Sequence, residues 1–468
     1  MGHQRDPRSP EQLREAGHAA VDWLADLLGR IDELPITAHV EPGAVRAALP
    51  DHPPEQPESF AQVLEDLDGI IVPGLTHWQH PGWFAFFPGN SSPPSVLGEL
   101  LSAGLGVQGM SWATSPAATE LESLVLDWLV ELLGLPRTWR VDTGPGGGVI
   151  LGTASEATHT SLVVAREQAR ARDAPTDDLV VYASVEAHSS VQKGARVAGF
   201  HHVRLLATTP DGGLDPAALA AAIAVDRAQG LVPTALVSCV GTTGRGALDP
   251  LDQLVPIARS EGLWHHVDAA WAGTMWICPE LRHHTEVLGS VDSWVTNPHK
   301  YLFTNVDCTA FWVADRRPLL DAMSITPSYL RNETTDRDDV IDYRDWHVGL
   351  GRRFRSLKLW LVLRMFGAEQ MRTILREHVR LARDLADRIE QHAGLELMGP
   401  SHWPLVCFRA VAGDDRTRAI AAAVNASESL AVTVAEDVDG HPYVRVSIGQ
   451  ANTGQADVDR LWAAITAA

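Results

Sequence analysis

Residues 235–273 read ALVSCVGTTGRGALDPLDQLVPIARSEGLWHHVDAAWAG. An apolar run at Ala235–Val240 is followed by a helical segment at Pro250–Glu261 and a second apolar run at Trp264–Val267. Two short strands joined through a helix are a parallel pair, because only a crossover connection returns the chain to the same edge. The alternation continues on both sides, with candidate strands at Leu179–Ala183, His202–Leu205, Ser293–Val295 and Thr309–Val313 and a helix at Pro216–Arg227. Most of these strands are short apolar runs, as strands buried on both faces are. The expectation is an α/β fold: a mostly parallel sheet with helices on both faces. Ligands of such sheets collect beyond the carboxyl ends of the strands. Asp268 follows one strand, and Lys300 lies in a loop just before another.

Working outward, residues 1–90 read as a helical segment too small for its own core. Ser9 is its first N-cap, Pro10 stands in the first turn and Gln12 completes a capping box. A second helical run covers Ser59–Ile71, and the segment packs on another surface, a second subunit included. Residues 91–355 form the large α/β domain. Within it, Ser324–Asp345 is polar, densely charged and aperiodic, the pattern of a long lid or binding loop. Residues 356–468 open with a long helical run. Strands at Leu405–Phe408, Leu430–Val434 and Tyr443–Ile448 and helices at Thr417–Asn425 and Ala456–Thr466 then make a small α+β domain.

Composition narrows the function. The chain has 468 residues, 45% hydrophobic content and a net charge of −21, which favours a globular protein and disfavours nucleic acid and anionic membrane as partners. The N-terminus has no apolar signal core. The four cysteines, Cys239, Cys278, Cys308 and Cys407, form no CxxC pair. Free thiols in a reducing cytoplasm fit this better than disulfides or zinc.

Only three of the 38 Lys and Arg positions are Lys, and one sits in Thr296-Asn297-Pro298-His299-Lys300. Arg cannot replace a lysine that must act as a free amine, and Schiff-base formation with a carbonyl cofactor is the leading such requirement. Gly146-Gly147-Gly148-Val149-Ile150-Leu151-Gly152-Thr153-Ala154-Ser155-Glu156-Ala157 presents small residues at a helix start, where free N–H groups receive a phosphate. The same residues would equally serve as a tight turn capped by Thr153 or Ser155. In His265-His266-Val267-Asp268-Ala269-Ala270-Trp271-Ala272-Gly273, Asp268 either caps a turn or holds a heteroaromatic ring nitrogen protonated, with the Ala270 methyl against the ring face. His265 and His266 are adjacent on a strand and point to opposite faces, so no metal site is expected.

Phosphate cradle, acid partner and amine thus follow in order, and here the chain resembles the aromatic L-amino acid decarboxylases, group II pyridoxal-phosphate-dependent enzymes. The matching segments are HWQHPGWFAFFPGNSS, GMSWATSPAATELE, GGGVILGTASEAT, EAHSS, GTTGRGALD, HVDAAWAG, NPHKYLFTNVDC and DYRDWHVGLGRRFRSLK, from about residue 77 to 360. The resemblance implies a fold type I enzyme with a seven-stranded sheet and pyridoxal 5'-phosphate as cofactor. Lys300 would carry the cofactor and Asp268 would pair with the pyridine nitrogen. Ala154, Ser155, Asn297 and His299 would bind it, Ala270 and Thr243 would lie against it, and His188 would stack on its ring. Tyr329 matches a loop tyrosine that delivers a proton to the substrate Cα.

By the same resemblance the reaction is decarboxylation of an aromatic L-amino acid to its amine and CO₂. The alternatives are an aldehyde synthase, whose members commonly carry Phe at the tyrosine position, and a catalytically silent binding homologue. Trp78, Phe86, Phe87 and Pro88 match an apolar pocket wall. Gly89, Gln108, Met110 and Gly351 match further pocket positions, and Gly351 together with the loss of a hydroxyl side chain at Gly89 favours tryptophan over phenylalanine, tyrosine or dihydroxyphenylalanine. A homodimer with shared active sites is implied, with Gln108 and Met110 supplied by the partner chain.

Overall fold

The computed structural model describes residues 9–325, 327, 337, 340–399 and 402–468. Its large sheet has seven strands: β1 Gly147–Leu151, β2 Leu179–Ser184, β3 His202–Leu206, β4 Val232–Cys239, β5 Trp264–Asp268, β6 Ser293–Thr296 and β7 Thr309–Val313. They lie in the order β1-β7-β6-β5-β4-β2-β3. Strands β3, β2, β4, β5 and β6 are mutually parallel, and β7 runs antiparallel to both β6 and β1.

The apolar runs reflect burial from two sides. Val181 and Ala183 of β2 pack with Leu162, Ala165, Val191 and Ala195 of helices on one face. Their neighbours Val180 and Tyr182 pack with Leu219, Ile223, Leu254 and Ala258 on the other. The period of two in a strand makes each residue serve one face, so both must be apolar.

Strand β1 is not legible as a strand from the sequence, because it begins in the glycine run and glycine is a poor strand former. Close packing explains those glycines. A Cβ on Gly147 would stand 2.6 Å from the Trp346 ring, and one on Gly148 2.6 Å from the Trp312 indole. Pairing with β7 from Gly147↔Val313 to Leu151↔Thr309 carries the chain to the helix Ala154–Arg170.

The small sheet is antiparallel, with β8 Leu395–Leu397, β9 Leu405–Ala410, β10 Thr433–Glu436 and β11 Pro442–Ser447 in the order β10-β11-β9-β8. Strand β8 was not expected. The strand expected from Leu430 begins only at Thr433, because the Asn425 side chain bonds both Val432 N–H and Val432 C=O. Helices Asp414–Asn425 and Gln455–Ala467 contribute Ile420, Val424, Val458 and Leu461 to the core of this sheet. The long helix Arg355–Glu390, broken at Gly367 with φ 70°, serves both cores. Leu359 and Val362 pack in the large one, Leu385 and Ile389 in the small one.

In the first helix, Pro10–Gly29, Ser9 Oγ accepts the Gln12 N–H at 3.1 Å. The full reciprocal box forms instead at Ser59 and Gln62, ahead of the helix Phe60–Asp66. The chain ahead of the large sheet reaches the small sheet: Trp83 bridges Ala431, and Phe84 joins the small core. Among the described residues no helix is long and apolar enough to cross a membrane.

Candidate active site

The carboxyl ends of β4, β5 and β6 open into a cleft of about 360 Å³. Lys300, Asp268, His188, Ala154, Ser155, Thr243, Ala270, Asn297, His299, Trp78, Phe86, Phe87, Pro88 and Gly89 all line it. Residues spread over more than two hundred positions of sequence therefore share one small volume.

Asp268 is the last residue of β5 and is buried, with Oδ1 accepting the Ala270 N–H at 3.0 Å. Burial pushes its carboxyl above the usual range, against the pull of that N–H and of Lys300 and His188. Lys300 sits in the helical turn Pro298–Tyr301 after β6, not in an open loop as the sequence suggests. Burial brings its ammonium down to about 8, with the Asp268 charge opposing and the Arg445 charge assisting. A share of free amine at neutral pH follows, which a Schiff-base lysine needs.

Both cleft histidines have a fixed tautomer. His188 Nδ1 accepts the Ser190 N–H at 3.1 Å, and His299 Nδ1 accepts the Cys308 N–H at 3.1 Å. Each neutral ring then carries its proton on Nε2. Burial, seconded by the Lys300 charge, lowers His299 to about 4, so it stays a neutral donor. Asn297 is oriented similarly: its Oδ1 accepts from Thr309 Oγ1 at 2.8 Å, leaving its amide protons to donate elsewhere.

The helix Ala154–Arg170 points its N-terminus at the cleft, capped by Thr153, whose Oγ1 accepts the Glu156 N–H at 3.2 Å. Thr153 was also open to the capping reading, and it caps while lining the cleft. These residues fit pyridoxal phosphate: helix N–H groups, the Ser155 hydroxyl, Asn297 and His299 for the phosphate, Asp268 for the ring nitrogen, and Lys300 for the carbonyl carbon. The wall opposite is aromatic. Trp78 and Phe86 stack at 5.6 Å with their planes 15° apart, and Phe87 stacks on Trp271 at 4.7 Å. Phe86 holds φ at 54°, its N–H donating to Thr433 Oγ1 at 2.7 Å. Such strain persists where the surroundings over-determine it.

Gln108, Met110 and Gly351 are not in this cleft. Gln108 Oε1 accepts the Arg352 N–H at 2.6 Å, Met110 C=O accepts the Arg344 N–H at 2.9 Å, and a Cβ on Gly351 would lie 3.5 Å from Gln108 Nε2. Tyr329 lies outside the described residues. His265 and His266 bond Ser238 and Ser293 respectively, and burial lowers each to about 3.

Sequence reasoning missed Arg445, which lines the cleft from β11. It donates to the carbonyls of Thr243 at 2.7 Å and Gly244 at 2.8 Å, and its guanidinium lies 5.0 Å from the Phe87 ring centre. The only available signal was a charge inside the apolar run Tyr443–Ile448. Cys239, Trp271 and Val306 also line the cleft without having been singled out.

Comparison with known proteins agrees with this geometry. The model of the pyridoxal-dependent decarboxylase conserved domain matches residues 42–411. Phenylacetaldehyde synthase of Arabidopsis thaliana is 43% identical over 97% of this chain and 95% of its own. Tryptophan decarboxylase 2 of Oryza sativa subsp. japonica is 43% identical over 86% of this chain and 82% of its own. The crystal structure of Oryza sativa TDC with PLP and tryptamine superposes with a TM-score of 0.96 at 36% identity, covering 99% of each chain. On these grounds the chain belongs to the group II pyridoxal-phosphate-dependent decarboxylases.

Proposed function

We propose that this protein decarboxylates an aromatic L-amino acid, tryptophan foremost, to the corresponding arylalkylamine and CO₂. The observation that carries the reading is the meeting of Lys300, Asp268 and the N-terminus of helix Ala154–Arg170 beneath the Trp78–Phe86 wall. Bound there, pyridoxal phosphate supplies a protonated pyridine ring that accepts the electron pair left at Cα when CO₂ departs.

The chain's own residues do the rest. Asp268 keeps the ring nitrogen protonated, since a buried carboxylate beside it is stabilised by that proton's charge. Lys300 would hold the cofactor through its amine, and would be released with that amine intact when the substrate amino group takes its place. His188, which lines the cleft with its proton on Nε2, would stack on the ring and donate toward the cofactor or substrate. Ser155, Asn297 and His299 hold the phosphate, with Thr243 and Ala270 against the ring. The wall of Trp78, Phe86 and Phe87 accepts a flat side chain, and the Arg445 guanidinium beside Phe87 is already engaged by the Thr243 and Gly244 carbonyls. Gly89 leaves room where a larger residue would narrow the slot. Tyr329, which lies outside the described residues, delivers the proton to Cα in this reading.

A homodimer is part of this reading. Leu97, Leu100, Leu101 and Leu105 of the helix Pro93–Leu105 are 40%, 51%, 52% and 61% exposed, an apolar stripe that a second copy would cover. Gln108 and Met110 follow directly on that helix, so a partner chain docked on the stripe would bring them toward the neighbouring cleft. The division into a segment 1–90, a cofactor-binding domain 91–355 and a small domain 356–468, and a cytoplasmic location, belong to the same proposal.

An aldehyde synthase is the second reading, favoured by the 43% identity to phenylacetaldehyde synthase and opposed by Tyr329. The deciding experiment incubates the holoenzyme with each aromatic L-amino acid and with glutamate, and quantifies amine, aldehyde, CO₂ and hydrogen peroxide. Amine matched by CO₂ without peroxide is expected, fastest from tryptophan. Aldehyde with peroxide and ammonia would move the protein to the oxidative reading, and no product at all would sink both.

A further inference from the structure

Asn90 is 1% exposed and bonds two distant parts of the chain, the Lys300 turn and the segment 449–451. Its Nδ2 donates to the carbonyls of Lys300 at 2.7 Å and Gly449 at 2.8 Å, while its Oδ1 accepts the Ala451 N–H at 3.2 Å. Both amide protons are committed, one of them to the peptide of the lysine that faces the cleft. The flanking chain is held from the other side by Gln79, whose Nε2 donates to Gly89 C=O at 2.6 Å and whose Oε1 accepts the Ser91 N–H at 2.9 Å. Two more side chains extend the contact along the lysine turn. Ser92 Oγ donates to Phe303 C=O at 2.6 Å, and Ser95 Oγ accepts the Asn305 N–H at 2.6 Å.

We propose that Asn90 is a positioning residue for Lys300, fixing the backbone of the lysine turn against the small domain so that the amine keeps its place in the cleft. The turn Pro298–Tyr301 is a single helical turn, and one so short does not hold itself. Its neighbours offer little slack: a Cβ on Gly449 would fall 2.5 Å from Pro88 Cγ and 2.7 Å from Tyr301 Cε1. Tyr301 OH also bonds Ser447 Oγ at 2.8 Å. Asn90 is thus the side chain through which the lysine backbone is bonded to the strand end 447–451 of the small domain. Its replacement strands two buried carbonyls and leaves the lysine turn free to shift.

This inference rests on the reading that Lys300 binds the cofactor, and the test separates the two. Holoenzyme is reduced with borohydride and the modified lysine located by peptide mass spectrometry, in the wild type and in Asn90→Ala, Asn90→Asp and Ser92→Ala. Cofactor dissociation rate and the pH dependence of the visible absorbance are measured for the same four proteins. Absence of cofactor on Lys300 in the wild type would refute the lysine assignment itself. With that assignment standing, Asn90→Ala is expected to release cofactor about tenfold faster and to shift the absorbance midpoint. Ser92→Ala, which cuts an equally buried bond one step away, is expected to do neither. Asn90→Asp is nearly isosteric and removes both donors, so it decides the matter if the alanine variant does not fold. Equal effects of the Asn90 and Ser92 variants, or unchanged dissociation and midpoint in the Asn90 variants, would overturn the proposal.

Discussion

At the scale of single residues, the site is an arrangement of charges that set one another. Lys300 is lowered by burial and by Arg445 and raised by Asp268. Capture of the cofactor by apoprotein needs the free amine, so its rate should rise with pH and level off above about 8. Asp268→Asn removes the raising charge and should move that midpoint down, and Arg445→Met removes a lowering charge and should move it up. Stopped-flow absorbance against pH reads both, and midpoints moving in the same direction would contradict the assignment. Asp268→Asn should also cost on the order of a hundredfold or more in kcat, because no carboxylate then holds the ring nitrogen protonated. Tyr329→Phe should keep cofactor and divert product toward aldehyde and peroxide. An unchanged amine yield from that variant would remove Tyr329 from the mechanism.

At the scale of elements, the strand that delivers the phosphate cradle is tied to the chain leaving the Ser324–Asp345 loop. Arg352 Nη2 lies 2.6 Å from Glu122 Oε1 and 3.0 Å from Ile150 C=O, and the same Glu122 oxygen accepts the Ile150 N–H at 2.8 Å. The guanidinium also stands 4.7 Å from the Tyr343 ring centre. Both charges are almost fully buried, so removing one leaves the other without compensation. Glu122→Gln should therefore destabilise the fold by about 3–5 kcal/mol, read by denaturant unfolding. A loss below about 1 kcal/mol would mean that water reaches the pair.

The elements also show what a sequence discloses locally. Six strands of the large sheet are legible to within a few residues of their ends; for the inner ones, burial on two faces writes an apolar run, while the edge strand β3, HVRLL, is only half-buried. Strand β1 was not, since its glycines answer to Trp312 and Trp346, which lie far along the chain. Strand β8, three residues long, has no pattern to read.

At the scale of the whole molecule, the exposed leucine stripe on the helix Pro93–Leu105 should bury itself in a dimer. Leu101→Asp places a charge in that stripe and should shift the protein toward monomer in analytical ultracentrifugation, with activity falling alongside. A monomeric wild type of full activity would contradict the shared-site reading. The region of the small sheet is joined to the loop after β4 by Arg445, which bonds the Thr243–Gly244 backbone, and by Trp403 Nε1, which donates to Gly246 C=O at 3.1 Å.

The sequence by itself determined the α/β class and, through its resemblance to a known family, the cofactor; it also singled out Lys300, Asp268, Ser155 and His299, which line one cleft, because each lies in a contiguous motif. Tertiary structure alone decided that Arg445 faces the cleft, that Asn90 holds the Lys300 peptide, and that Gln108, Met110 and Gly351 stand apart from the cleft of their own chain. The physical reason is that periodicity reports which face of an element is buried, whereas what that face meets depends on how segments hundreds of residues apart come to pack.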